Sequence, residues 1–271
     1  MRSARHCTAV NPYSGSAGPG GSERCYDRIY AIGDIHGRFD LLQTALQKIR
    51  SDSAARIDAP TTIVLLGDVI DRGLQSRQIL TLVRRLQERS MSFVMLKGNH
   101  ETLLVESARG NASAQNVWLR CGGLATLESY AIDPLRFGER SVADRAATLV
   151  ETIGSDVLQW LDSLPYSYRS GDYYFSHAGI DPAVELGRQK AEVLSNGCGG
   201  FYTSKADHGA VVVHGHCEVL EPEIRFNRIN IDTAAHASGR LSILGLHGQS
   251  RWIIKAEGPS VQTTAKRLHL S

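Results

Sequence analysis

The sequence predicts an α/β protein in which two packed β-sheets carry helices on their outer faces, within one domain. Three apolar runs support this reading: RIYAI, TTIVLL and SFVML. Each ends in a polar, Gly-containing phrase, respectively GDIHG, GDVIDRG and KGNHE, and helical patterning follows. Strand, turn and helix in succession, three times over, argue for parallel βαβ units with right-handed crossovers. A second set of short strand-like runs lies beyond residue 165 and supplies the second sheet.

The elements follow in order. Residues 1–27 include NPYSGSAGPGGSER, which is rich in Gly, Ser and Pro and has no hydrophobic period. A flexible N-terminal tail is expected there, a domain over 28–257, and a C-terminal tail over 258–271. FDLLQTALQKIR places Leu41, Leu42, Ala45, Leu46 and Ile49 at helical spacing, and SRQILTLVRRLQER does the same with Ile79, Leu80, Val83 and Leu86. Residues 102–163, with WLRCGG among them, read as mostly helical. YSYRS and YYFSH flank Ser170-Gly171-Asp172 and read as a hairpin. A helix is expected over Ala183 to Leu194. AVVVHGH, EIRFNRINID, LSILGL and RWIIKAE read as strands, the last three as antiparallel.

Composition narrows the function. Of 271 residues, 42% are hydrophobic and 21% charged, enough for a large core. A net charge of +2, with no Lys/Arg block, gives no case for a nucleic-acid partner. Five cysteines at irregular spacing, with no C-x-x-C, speak against a disulfide framework or structural zinc and for a reducing cytoplasm. No apolar run follows Arg2 and Arg5, so no signal peptide is expected. No segment approaches ~20 apolar residues, so no membrane span is expected. Composition leaves the oligomeric state open.

The polar residues at the strand ends are Asp34 and His36, then Asp68, Asp71 and Arg72, then Asn99 and His100, then His177, then His214 and His216. Sites in open α/β sheets form beyond the carboxyl ends of the strands, so these residues can converge. Carboxylate, imidazole and carboxamide donors suit Mn, Fe or Zn, and no thiolate is needed. Asp68 has two oxygens and could bridge two ions. Two ions ~3.5–4 Å apart can clamp a phosphoryl group and acidify a water nucleophile. His100 could protonate a leaving oxygen, with Asp71 stabilising its charged form. Arg72 presents a planar fork matched to phosphate oxygens. Other tasks compete for some of these residues. Asp71 could cap the following helix. Glu101 reads as a charge favourable to a helix N-terminus. Arg120 could reach substrate or lie on the surface. Cys217 reads as a small buried hydrophobe, His208 as a loop residue, and Tyr173, Tyr174 and Phe175 as sheet packing.

GDIHG, GDVIDRG, GNHE, SHAG and HGH, in that order over about residues 28–245, resemble the metal-dependent phosphoprotein phosphatase family, closest to its bacterial serine/threonine branch. The resemblance implies the calcineurin-like metallophosphoesterase αββα sandwich, two mixed sheets flanked by helices. It implies that Asp34, His36 and Asp68 hold one metal, and that Asp68, Asn99, His177 and His216 hold a second. It implies His100 and Asp71 as the acid pair, Arg72 as phosphate ligand, and manganese as the usual ion. The family's last ligand follows a glycine, here Gly215, which selects His216 over His214. The implied substrates are phosphoserine and phosphothreonine in proteins, with phosphotyrosine or another small phosphoester also open. A symmetrical dinucleoside tetraphosphatase carries nearly the same motifs, and a weakened phosphate-binding module is the non-enzymatic alternative. One departure bears on this. Bacterial members carry a second phosphate-binding arginine between the positions of His177 and His216, and here no arginine lies between Gln189 and His216. Lys190 and Lys205 are the only cations there, and Lys205 could substitute only as a point charge. Loss of one charge-assisted contact to the transition state costs about 2–4 kcal/mol.

Overall fold

The computed structural model describes residues 27–260. The flexible tails expected over 1–27 and 258–271 therefore lie almost wholly outside the described residues.

Strands β1 (Arg28–Ile32), β2 (Thr61–Leu65) and β3 (Phe93–Met95) lie parallel. They alternate with helices α1 (Phe39–Ala54), α2 (Ser76–Arg89) and α3 (Asn99–Ala108). Two late strands complete this sheet, β9 (Arg240–His247) against β1 and β10 (Ser250–Glu257) at the edge, both antiparallel. The order is β10-β9-β1-β2-β3. The second sheet runs β4-β5-β6-β8-β7. It is built from β4 (Ser167–Ser170), β5 (Tyr173–Ser176), β6 (Val211–His214), β7 (Glu223–Ile224) and β8 (Arg228–Asn230). The β4–β5 hairpin is antiparallel, but β5, β6 and β8 are parallel.

Side chains on a strand alternate between faces, so one strand can serve two cores. On β1, Ile29 and Ala31 join Val64, Phe175, Val213, Ile229 and Leu244 in a layer between the sheets. Tyr30 and Ile32 point the other way and pack with Leu41, Leu42, Ile79 and Val83 of α1 and α2. Tyr174 and Val212 face outward on the second sheet, against Leu194 and Phe201. The result is helix, sheet, sheet and helix in layers. Tyr173, Tyr174 and Phe175 are all packed inside, as their apolar run suggests.

Along the chain between α3 and β4 lie α4 (Ala112–Trp118), α5 (Leu124–Ser129), α6 (Pro134–Glu139), α7 (Val142–Ile153) and α8 (Ser155–Asp162). Gly122, at φ +119°, kinks the passage from α4 to α5. The helix expected over Ala183 to Leu194 is shorter than its pattern. Only α9 (Ala191–Asn196) is α-helical, after a single 3₁₀ turn at Leu186–Arg188. The Gln189 side chain explains the difference: its Nε2 donates to the carbonyls of Asp181 and Val184. Its Oε1 accepts from the Asp181 N–H, so the loop closes on a side chain instead of continuing as helix. A last short helix, α10 (Ala235–Ser238), precedes β9. Among the described residues, no helix is long and apolar enough to cross a membrane.

The turns after β1 and β2 interlock. The N–H groups of Ile35 and His36 donate to the Asp68 carbonyl, and the Gly37 N–H donates to Val69. Gly37, at φ +68°, lies so close to Gly73 that a Cβ would stand 2.1 Å from its carbonyl oxygen. We expect Gly37→Ala to destabilise the protein by about 2–4 kcal/mol, from strain plus overpacking. Gly248 has a similar φ of +58° with nothing within 4 Å. Gly248→Ala should therefore cost only about 1–2 kcal/mol, the backbone strain alone. Urea unfolding midpoints of the two variants test the difference.

Candidate metal and active site

Every phrase singled out in the sequence ends at the same rim, beyond the carboxyl ends of β1, β2, β3, β5 and β6. Five of the nine candidate residues have left-handed backbones: His36 (φ 45°), Asp68 (48°), Asp71 (69°), Arg72 (64°) and His216 (66°). Non-glycine residues adopt this region at a cost of about 1–3 kcal/mol each, and such strain concentrates at functional sites. Glycines allow the close approaches that result. A Cβ on Gly98 would stand 2.1 Å from Asp68 Oδ1, and one on Gly215 would stand 2.0 Å from Asp34 Oδ1.

The Asp68 carboxylate is the centre. Its Oδ2 lies 3.3 Å from His177 Nε2, 3.7 Å from His36 Nε2 and 3.8 Å from His100 Nε2. Asn99 Oδ1 is 3.0 Å from His177 Nε2 and 3.1 Å from His216 Nδ1, and the two imidazole nitrogens are 3.2 Å apart. His214, by contrast, points away from this cluster. It is buried, its Nδ1 lies beside the Gly215 carbonyl, and its Nε2 has no hydrogen-bond partner among the described residues.

The donor set fits divalent cations on structural grounds. His36 Nδ1 lies 2.9 Å from the Ile70 carbonyl and His177 Nδ1 3.0 Å from that of Leu66. A carbonyl only accepts, so each Nδ1 carries a proton, and in the neutral ring each Nε2 turns a lone pair inward. Those lone pairs meet carboxylate and carboxamide oxygens, which are also acceptors. Facing acceptors in a buried site require a positive charge between them. Among the described residues, two groups of donors lie close enough to hold an ion: His36, Asp68 and His100, and Asp68, His177 and His216. Asp68 belongs to both. Asp34 belongs to neither and instead accepts the His216 N–H at 3.2 Å.

Electrostatics point the same way. Burial, then the nearby charges of Asp232 and Asp68, push the Asp34 carboxyl well above its usual range. Burial would also raise Asp68, but His177 and His100 outweigh it and hold that carboxyl well below. The same pairing raises His177 against the effect of its burial. Desolvation lowers His36 far below the usual imidazole range and His216 to about 4, so both are neutral and free to ligate. His100 differs. Burial opposes its charge, yet Asp68 and Asp71 lift it to about 9.

His100 Nδ1 lies 2.7 Å from Asp71 Oδ2. Asp71 is fully buried and accepts further bonds from Thr126 Oγ1 (2.6 Å) and Trp118 Nε1 (3.0 and 3.1 Å). It does not cap α2, whose N-cap is Gln75. WLRCGG thus backs GDVIDRG. Trp118 reaches Asp71, Gly123 packs on the Trp118 ring, and the Gly122 carbonyl accepts the Arg72 N–H at 3.1 Å. Arg120 and Lys205 are exposed, and Cys217 is half-buried rather than buried.

Glu101 has a larger part than its helix-terminal position suggests. It is fully buried, and its carboxylate accepts the N–H groups of Asp68, Val69 and Gly98, each at 2.9 Å. It therefore ties the end of β2 to the start of α3. Burial and the Asp68 charge raise its carboxyl to about 7. Its bond from the Gly98 N–H is half of a capping box, the other half being absent because glycine has no side chain; the sequence marked Glu101 only as a helix-terminal charge. Trp118, Thr126 and Ser76 had no sequence signal that tied them to Asp71.

Residues 27–239 match the calcineurin-like phosphoesterase family. Serine/threonine-protein phosphatase 2 of Escherichia coli is 35% identical over 222 residues, covering 80% of this chain and 92% of that protein. A symmetrical bis(5'-nucleosyl)-tetraphosphatase of Neisseria gonorrhoeae is 31% identical over 166 residues. That match covers 61% of this chain and spans about half (48%) of the relative. In fold, a protein serine/threonine phosphatase from Saccharomyces cerevisiae superposes with a TM-score of 0.57 at 14% identity, over 87% of this chain and 81% of that one.

Glu101→Ala would leave three buried N–H groups without an acceptor. We expect it to cost at least about 3 kcal/mol of stability and to weaken metal binding by about 10- to 100-fold. Urea unfolding and calorimetric Mn titration measure the two effects. An unchanged metal affinity in a folded Glu101→Ala protein would contradict this support role.

Proposed function

The chain belongs to the calcineurin-like phosphoesterase family, and from that premise we propose that it hydrolyses phosphoserine and phosphothreonine in proteins. The coarser assignment, a phosphoester hydrolase of the metallophosphoesterase type, follows from the family itself. The buried His100–Asp71 pair beside Asp68, with Arg72 at the rim, supports phosphoester hydrolysis in general. The observation that carries the finer reading is the match to the serine/threonine phosphatase relative, at 35% identity over 92% of its length.

In this reading Asp34, His36, Asp68, Asn99, His177 and His216 hold two divalent ions, manganese in preference to iron or zinc. When bound, the ions neutralise phosphoryl oxygens and acidify a water nucleophile. The chain's own groups do the rest. Arg72 offers a guanidinium fork to the phosphate. His100 gives the proton on Nε2 to the leaving serine or threonine oxygen. Asp71 accepts a hydrogen bond from His100 Nδ1–H, which stabilises the imidazolium before transfer and fixes the ring. Trp118 and Thr126 hold Asp71 in turn.

The second reading is symmetrical hydrolysis of dinucleoside tetraphosphates. The relative that bears that name favours it, since nothing in the metal and acid groups distinguishes the two substrates. Phosphate release with added Mn separates them. The panel holds an aryl phosphate, phospho-Ser, phospho-Thr and phospho-Tyr peptides, and a dinucleoside tetraphosphate. Activity on the Ser/Thr peptides is expected, and cleavage of the dinucleotide alone would replace this reading with the second. Chelation should abolish release, and Mn should restore it.

His100→Asn is expected to lower kcat by about 10²- to 10⁴-fold, while calorimetry still detects Mn binding. Unchanged turnover would remove the acid role from His100.

A further inference from the structure

Glu218 stands two residues after His216, in the irregular passage between β6 and β7. Its Oε1 accepts a hydrogen bond from Arg72 Nη1 at 2.6 Å. His236 Nε2 lies 3.9 Å from the same oxygen. The carboxylate is therefore an anion set between an arginine and a histidine at the rim of the site.

Both flanking groups belong to that rim. The His236 ring meets the His36 ring edge-on, with centroids 5.4 Å apart. Its Nδ1 is buried without a hydrogen-bond partner among the described residues. Ala234, in a left-handed conformation at φ +52°, and the Asp232 carboxylate that accepts its N–H set the start of α10 in this place. The Arg72 backbone is held by the Gly122 carbonyl, which accepts its N–H. The Glu218 side chain is 46% exposed against 32% for Arg72, so the carboxylate has the freer path into solvent.

We propose that Glu218 is an internal competitor for substrate. In the resting protein its carboxylate occupies the anion position between Arg72 and His236, and an incoming phosphoryl group must displace it. The inference rests on the reading of Arg72 as a phosphate ligand. Arginine forks bind carboxylate and phosphate with the same geometry, so the two exclude each other on one nitrogen. The contact matters more here because no second arginine is present between Gln189 and His216 to hold the phosphate meanwhile.

The test is calorimetric titration of the full-length, Mn-loaded protein with inorganic phosphate, alongside KM and kcat for an aryl phosphate. Glu218→Gln keeps the shape and removes the charge. It should tighten phosphate binding by about fivefold, the size of an exposed ion pair, and lower KM by a similar factor, with the change carried by KM rather than kcat. If Glu218 only orients Arg72, the same variant will bind phosphate more weakly, and the proposal is overturned. Equal affinity in the two proteins overturns it as well. Arg72→Lys separates this from the reading beneath. It should weaken phosphate binding and erase the gain from Glu218→Gln. If Arg72→Lys weakens binding but Glu218→Gln changes nothing, the competitor falls and the phosphate ligand stands. If Arg72→Lys leaves phosphate binding intact, both fall.

Discussion

Asp68 is a buried carboxylate with three imidazole nitrogens within 3.8 Å. Removing such a group from water is costly unless positive charge and hydrogen bonds replace the hydration. Much of the surrounding structure supplies that replacement. The His100 N–H donates to Asp68 Oδ1, and Glu101 holds the backbone on both sides of the turn. The left-handed backbone at Asp68 turns its side chain into the cluster, and Gly98 leaves room for it. A left-handed residue and three buried donors on one glutamate would be hard to account for in a simple connecting turn. They are consistent with a rigid seat for cations.

The two aspartates of GDVIDRG illustrate how environment divides labour. Asp68 faces imidazole nitrogens whose protons are turned away, toward backbone carbonyls. Asp71 faces the opposite side, where it accepts from His100, Thr126 and Trp118. Three residues apart in sequence, they lie in networks with different needs. One network gathers imidazole and carboxylate donors around Asp68 and suits a metal. The other is saturated with donors and keeps a histidine protonated and aligned. His100 lies between them, with one nitrogen toward each carboxylate.

Family and substrate are decided at different depths of the site. Relatives named for protein phosphatase and for dinucleoside tetraphosphatase activity both match this chain. At the rim of the cluster, Arg72, Glu218 and His236 meet. A guanidinium engaged by an internal carboxylate binds a lone phosphate less readily than a free one. Substrates that bring further contacts are less affected.

The βα repeats, the hairpin and the polar residues at the strand ends were legible because they depend on local pattern. Apolar runs of strand length and helical spacing in α1 and α2 require only neighbours in sequence. The order of GDIHG, GDVIDRG, GNHE, SHAG and HGH was enough to place the chain in its family. Other features depend on residues far apart along the chain. Trp118 and Thr126 reach Asp71 across 47 and 55 positions, and no periodicity encodes that distance. Glu101 was visible as a helix-terminal charge, but its hold on β2 exists only once β2 and β3 pair. Residues 183–190 have helical composition, yet the Gln189 side chain closes them as a loop. By itself, then, the sequence determined which side chains stand at the strand ends. Only tertiary structure decided which of their lone pairs face each other and which arginine is already engaged, because both follow from the packing of distant segments.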